Sequence, residues 1–146
     1  MKRVVLALIA TAFLMTAGAV GAKTSSGAMV KVRSTSLGKI IVDAQGRTLY
    51  LFEKDKSGRS ACSGQCAKFW PPLITSGKPR ASAGVKASLL GTTKRSDGRM
   101  QVTYAGHPVY RFLKDTASGQ TKGEGLKFFG AEWYVLAPSG KKIDKD

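Results

Sequence analysis

The side chains whose types and spacing could carry chemistry are few: Cys62 and Cys66, His107, and the carboxylates Glu53, Asp55 and Asp115. Two cysteines four apart suit three kinds of chemistry: a disulfide, a reactive thiol pair, or soft metal ligation. Thioredoxin-like exchange uses Cys-x-x-Cys and c-type haem attachment uses Cys-x-x-Cys-His. The run Cys62-Ser63-Gly64-Gln65-Cys66-Ala67 is neither. An even cysteine count in an oxidising compartment favours a disulfide. Residues four apart in a helical turn have Cα atoms roughly 6 Å apart, which a disulfide tolerates. The enclosed loop is too small to remove much unfolded-state entropy. The expected role of a Cys62–Cys66 bridge is therefore local, fixing the turn that feeds Trp70 inward.

Metal and hydrolytic chemistry are poorly supplied. A zinc site would have to recruit Cys62, Cys66 and His107, which nothing local places together. A calcium site at Asp55 or Asp115 lacks alternating acidic ligands, and Lys54 and Lys114 precede the two aspartates. There is no Gly-x-Ser-x-Gly elbow. His107, the only histidine, sits between Gly106 and Pro108 and reads as a turn residue. The expectation is no catalytic residue, no metal site and no cofactor.

A duplication organises the chain instead. Tyr50-Leu51-Phe52-Glu53-Lys54-Asp55 returns 60 positions later as Tyr110-Arg111-Phe112-Leu113-Lys114-Asp115. A glycine stands four residues before each tyrosine, Gly46 and Gly106, and each copy runs on to a tryptophan, Trp70 and Trp133. Glu53 faces Leu113 in this alignment and Arg47 faces His107. The duplication therefore preserves neither that carboxylate nor the imidazole. What persists is Tyr, Phe, Lys and Asp, a set suited to folding and at most to binding.

The segment GRTLYLFEKDKSGRSACSGQCAKFWPPL, from Gly46 to Leu73, resembles the bacterial secreted-repeat family named for its Tyr-x-(Phe/Trp/Tyr)-x-x-Asp motif. VTYAGHPVYRFLKD, followed by Trp133-Tyr134-Val135-Leu136, resembles the second copy in that family. Together the matches span roughly residues 36–137. The resemblance implies exported lipoproteins of unknown function. It bears on fold and location and supplies no active site. The chain departs from it in one respect: a lipoprotein carries a cysteine just after its apolar leader, and none is present there.

The N-terminus reads as a targeting signal. Lys2 and Arg3 precede an apolar run from Val4 to Met15, and Val20-Gly21-Ala22 suits cleavage before Lys23. The run is too short for a stable membrane span. The expected layout is a signal peptide at 1–22 and one exported domain at 23–146, with repeats at about 36–75 and 88–137. The product is expected to be soluble, in the periplasm or outside the cell.

The 146-residue chain carries a formal charge of +15. Removing Lys2 and Arg3 from its 24 basic residues leaves 22 against 9 acidic ones. Such a surface attracts polyanions, so anionic envelope components are possible partners. The charge is dispersed, its densest mature clusters being pairs such as Lys141-Lys142 and Lys94-Arg95. Tyr104, Tyr110 and Tyr134 sit in basic surroundings, as stacking platforms for nucleic acid do. Strand aromatics of a small β domain more simply fill its core, and no nucleic-acid partner is expected.

The elements that must position these residues are mostly strands. Met29–Arg33 alternates apolar and basic residues, and Lys39–Val42 is rich in β-branched residues. A turn at Asp43–Gly46 leads into Arg47–Phe52, so 39–52 reads as a hairpin. Tyr50 and Phe52 share one face of that strand, Leu49 and Leu51 the other. Asp55 opens a turn whose backbone N–H groups its carboxylate can accept. Ser63 is a candidate cap for a short helix from Gly64 to Phe69, stopped by Pro71 and Pro72. Leu73–Thr75 reads as a strand and 76–87 as the loop joining the copies. Met100–Tyr104 and His107–Phe112 form a second hairpin, 115–127 is polar and glycine-containing, and Glu132–Leu136 is the last strand.

The fold class expected is mainly β: a small antiparallel domain of two similar repeats with one short helix near the cysteines. Tyr50, Phe52, Asp55, Tyr110, Phe112 and Asp115 are its repeated structural motif. The function expected is non-enzymatic: binding or cell-envelope interaction. Two other readings stay open, a periplasmic redox or metal-handling accessory using Cys62 and Cys66, and a cationic binder of anionic envelope polymers.

Overall fold

The computed structural model describes residues 17–19, 21 and 26–145. The leader reading over 1–22 falls almost wholly outside these residues. The elements run β1 (Met29–Thr35), β2 (Gly38–Asp43), β3 (Tyr50–Phe52), α1 (Gln65–Phe69), β4 (Arg80–Ala81), β5 (Leu90–Lys94), β6 (Met100–Tyr104), β7 (His107–Pro108), β8 (Lys127–Phe128) and β9 (Ala131–Val135). They form three small sheets in the orders β2-β1-β4, β3-β9-β8 and β5-β6-β7. The protein is mainly β, and every strand pair except the two-residue contact of β1 with β4 is antiparallel.

Each repeat begins with a hairpin, β1–β2 in the first and β5–β6 in the second. Each hairpin is followed by a tight turn at the repeated glycine. Gly46 has φ 82° and Gly106 φ 80°, a left-handed conformation that costs a residue with a Cβ and not glycine. The glycine four residues before each tyrosine thus reverses the chain so that the tyrosine strand enters the interior.

The expected hairpin over 39–52 is only partly made. β2 pairs along its whole length with β1, and meets the next segment through the Val42–Thr48 bridge. β3 instead pairs with β9 of the other repeat, with Tyr50 opposite Val135 and Phe52 opposite Trp133. Exchange of strands between halves is what buries both faces of β3. Tyr50 and Phe52 enter one core cluster, with Trp70, Tyr110, Phe112 and Trp133. Leu49 and Leu51 enter a second, with Val102, Tyr104, Val109 and Leu136. A strand covered on both faces needs no polar side, and Leu49 to Phe52 has none.

Several local expectations are corrected. Gly64 and not Ser63 precedes α1, and no side chain caps it. Leu73–Thr75 makes one bridge, Ile74 with Gln101, rather than a strand, and the neighbouring Pro72 bridges Tyr110 on a different segment. The loop over 76–87 contains β4, held by backbone bonds from Arg80 to Ala28 and from Ser82 to Val30. Past β7, Val109 N–H still donates to Val102 O at 3.0 Å, and Tyr110 then pairs with Tyr50, which ends the second hairpin before Phe112. The surface pair Lys94-Arg95 is not a pair in space: Arg95 is buried and Lys94 exposed.

Candidate functional site

The two copies of the motif meet at Tyr50 and Tyr110. Tyr50 N–H donates to Tyr110 O at 2.8 Å and Tyr110 N–H donates to Tyr50 O at 3.0 Å. This mutual exchange is the hydrogen-bonded pair of antiparallel strands. It sets the repeats back to back, and the side chains then cross over. Tyr50 Oη donates to Asp115 Oδ2 at 2.5 Å, and Tyr110 Oη donates to Asp55 Oδ2 at 2.8 Å. Each aspartate thus holds the tyrosine of the other copy.

The second oxygen of each aspartate closes its own loop. Asp55 Oδ1 accepts Ala61 N–H at 2.7 Å, and Asp115 Oδ1 accepts Lys122 N–H at 2.9 Å. The loops differ in how deeply they bury the carboxylate. Asp115 is buried, while Asp55 is half-buried. Tyr50 Oη also accepts Gly123 N–H, whereas Tyr110 Oη lies 2.7 Å from Ser60 Oγ. Ser60 Oγ accepts in turn from Arg95 Nη1, which also bonds Gln101 Oε1. Nothing in the sequence pattern singled out Ser60 or Gln101, and Arg95 was read only as half of a surface charge pair; the one signal was the polarity of Gln101 inside the β6 strand pattern.

Between the tyrosines runs a column of four aromatic rings. Phe52 stacks on Trp133 at 4.0 Å, Trp133 on Trp70 at 3.9 Å, and Trp70 on Phe112 at 4.2 Å. The order alternates copies, each phenylalanine resting on the tryptophan of the other repeat. Tyr50 and Tyr110 stand edge-on to Trp70 and Trp133, at 5.4 and 5.1 Å. Stacked and edge-on rings add about 0.5–1.5 kcal/mol per pair beyond area burial.

Burial sets the titration of these groups. Tyr50 and Tyr110 are pushed far above the ordinary phenol range, chiefly by burial and secondly by their aspartate partners. Burial also raises Asp115, against the donors Tyr50 and Lys122. It raises Asp55 to about 6, against the donors Ala61 and Tyr110 and the charge of Arg95. The folded state therefore holds the Asp55 proton more tightly than the unfolded chain does. The resulting stability is full below about pH 4 and is lost as pH rises through about 6. After allowance for partial exposure the loss is about 1–2 kcal/mol. Urea unfolding at pH 4 and pH 7 should show a larger loss in the parent than in Asp55→Asn, where the raised Asp115 still contributes.

The Cys62 and Cys66 sulfurs lie 2.01 Å apart, at disulfide distance, with both residues buried. Arg95 Nη2 donates to Cys62 O at 2.6 Å, tying this turn to the second repeat. His107 is half-buried on β7, and burial, opposed by the Glu53 charge, lowers its pKa. Among the described residues no three His, Cys, Asp or Glu side chains gather as a metal-binding group. Tyr104 and Tyr134 are buried as well as Tyr110.

One surface feature lies beside the ring column. Phe69, Trp70, Phe112, Leu126 and Phe128 line a cleft of about 350 Å³, and Lys114 and Lys122 complete its lining. The sequence offered no sign of it, because its walls come from three separated segments.

The arrangement defines a class: a two-repeat β domain whose copies exchange tyrosine, phenylalanine and strand partners across a shared aromatic column. More narrowly, residues 31–74 and 91–137 match the family described as a secreted repeat of unknown function. They make up more than half of the chain, and the protein belongs to that family. No curated protein and no solved structure matches it. Among the described residues no helix is long and apolar enough to cross a membrane.

Proposed function

We propose that the chain is exported, loses residues 1–22, and acts at the cell envelope as a non-catalytic binding domain. The observation that carries this reading is the inward placement of the repeated residues. Tyr50, Tyr110 and Asp115 are buried and partnered, so a reactant would have to open the core to reach them. Thiol exchange needs access to a sulfur, and both sulfurs are buried, which favours binding over the redox reading. What faces outward is a basic excess, including exposed Lys31, Lys39, Lys54, Lys56, Lys114 and Lys122. A dispersed cationic surface attracts anionic envelope polymers without selecting one.

The mature domain should therefore be retained on an immobilised anionic polysaccharide at low salt. It should elute as salt passes roughly 0.15 M, where screening acts within about 8 Å. Turnover of an envelope substrate by the purified domain, or failure to bind polyanions at low salt, would overturn the reading.

A further inference from the structure

The two repeats are not equivalent at their tryptophans. Trp133 Nε1–H donates to Phe128 O at 3.1 Å. Trp70, its stacking partner, is fully buried and its Nε1–H has no hydrogen-bond partner. A buried indole N–H normally finds an acceptor. Trp70 is also the tryptophan that walls the cleft.

The copies also differ at the surface. Where the first repeat has Glu53, paired with Lys142 at 2.8 Å, the second has Leu113, which is 53 % exposed. Phe128, on the cleft wall, is 50 % exposed. A half-exposed phenylalanine beside a concave apolar wall is characteristic of a ligand site rather than of a scattered surface residue. The cleft's volume of about 350 Å³ lies within the usual range for small-molecule sites, roughly 300–1,000 Å³.

Lys114 and Lys122 supply the polar end. They come from either side of the loop that Asp115 closes, and both are exposed. Neither amine has an ion-pair partner among the described residues. The site therefore combines an apolar wall with two exposed positive charges. A second copy of this chain does not fit, because each mature copy brings 22 basic against 9 acidic residues to the contact.

We propose that this cleft binds a single-chain anionic amphiphile of the long-chain carboxylate type, its alkyl chain against Phe69, Leu126 and Phe128 and its carboxylate between Lys114 and Lys122. The proposal rests on the binding function above and names one ligand class for it. The chain stays monomeric in the cleft; no insertion into a bilayer is involved.

The probe is dodecanoate, kept below its micelle-forming concentration and titrated into the full mature domain. The only two tryptophans are stacked on each other beside the cleft, so their emission reports occupancy. Dodecanoate should give a saturable change. The double variant Lys114→Gln/Lys122→Gln should bind about fivefold to tenfold more weakly, as loss of two exposed ion pairs requires. Dodecanol should bind the parent more weakly than dodecanoate and should not distinguish parent from double variant. Phe128→Ser should weaken both ligands; its side chain is half-exposed, and an unchanged urea midpoint shows that it folds.

No saturable response to dodecanoate, or equal affinity in the lysine double variant, would overturn the proposal. A response only to anionic phospholipid vesicles would assign the face to a membrane surface and overturn it too. If dodecanoate fails while polyanion retention persists, the cleft assignment falls and the envelope-binding function stands. If both fail, both fall.

Discussion

Trp133→Ala should destabilise the domain by about 3–5 kcal/mol, the range for truncating a fully buried aromatic side chain. Trp133 is an inner ring of the column, in contact with Phe52 and Trp70 by stacking and with Tyr110 edge-on. Removing it leaves a cavity between the two repeats and not within one, so neither can close it by local collapse. The variant also loses the bond from Nε1 to Phe128 O, which holds the β8–β9 turn. Urea unfolding should show a lower midpoint with little change in slope. Phe52→Ala and Phe112→Ala should follow within the same range, the second less costly because Phe112 is 7 % exposed against 1 % for Phe52. A Trp133→Ala midpoint equal to the parent's would mean that the column does not hold the repeats together.

Asp115→Ala should cost about 2–4 kcal/mol, because it orphans two donors in a buried site. Tyr50 Oη–H loses its acceptor at 2.5 Å and Lys122 N–H loses its acceptor at 2.9 Å. Gly123 is drawn in with them, since its N–H donates to Tyr50 Oη and a Cβ there would stand 2.7 Å from the Trp70 ring. Asp55→Ala should cost less, about 1–3 kcal/mol. Tyr110 Oη keeps Ser60 Oγ nearby, and the half-buried Asp55 loop can admit water. Equal sequence roles thus give unequal penalties, and the inequality comes from burial. Urea midpoints of the two variants check it; Asp55→Ala as the more costly change would contradict the burial argument.

Much of this architecture was legible in residue types. The turn glycines Gly46 and Gly106, the two-faced apolar run Leu49–Phe52 and the Met100–Tyr104 strand each carry a local signal, and local signals suffice for local elements. A repeated pattern says which residues are equivalent but not which copy each one touches. Tyr50–Asp115 pairing was therefore hidden, although both residues stood out. β4 was hidden for a related reason: its two residues follow Pro79 in a small, polar stretch and owe their conformation to β1. The helix start at Gly64 was misread because Ser63 has the type of a cap but not the hydrogen bond. The cleft lay beyond sequence reasoning altogether. Its walls, Phe69 and Trp70, Phe112 and Lys114, and Lys122, Leu126 and Phe128, come together only in the fold.

Double-mutant cycles in urea test most directly whether the repeats are locked by exchange. Tyr50→Phe and Asp115→Ala should couple by about 1–3 kcal/mol, and Tyr110→Phe and Asp55→Ala by a similar or smaller amount. The within-copy pairs, Tyr50 with Asp55 and Tyr110 with Asp115, should be additive within about 0.5 kcal/mol. Strong coupling inside each copy, with additivity across them, would contradict the crossed arrangement and with it the view that the repeated motif is structural.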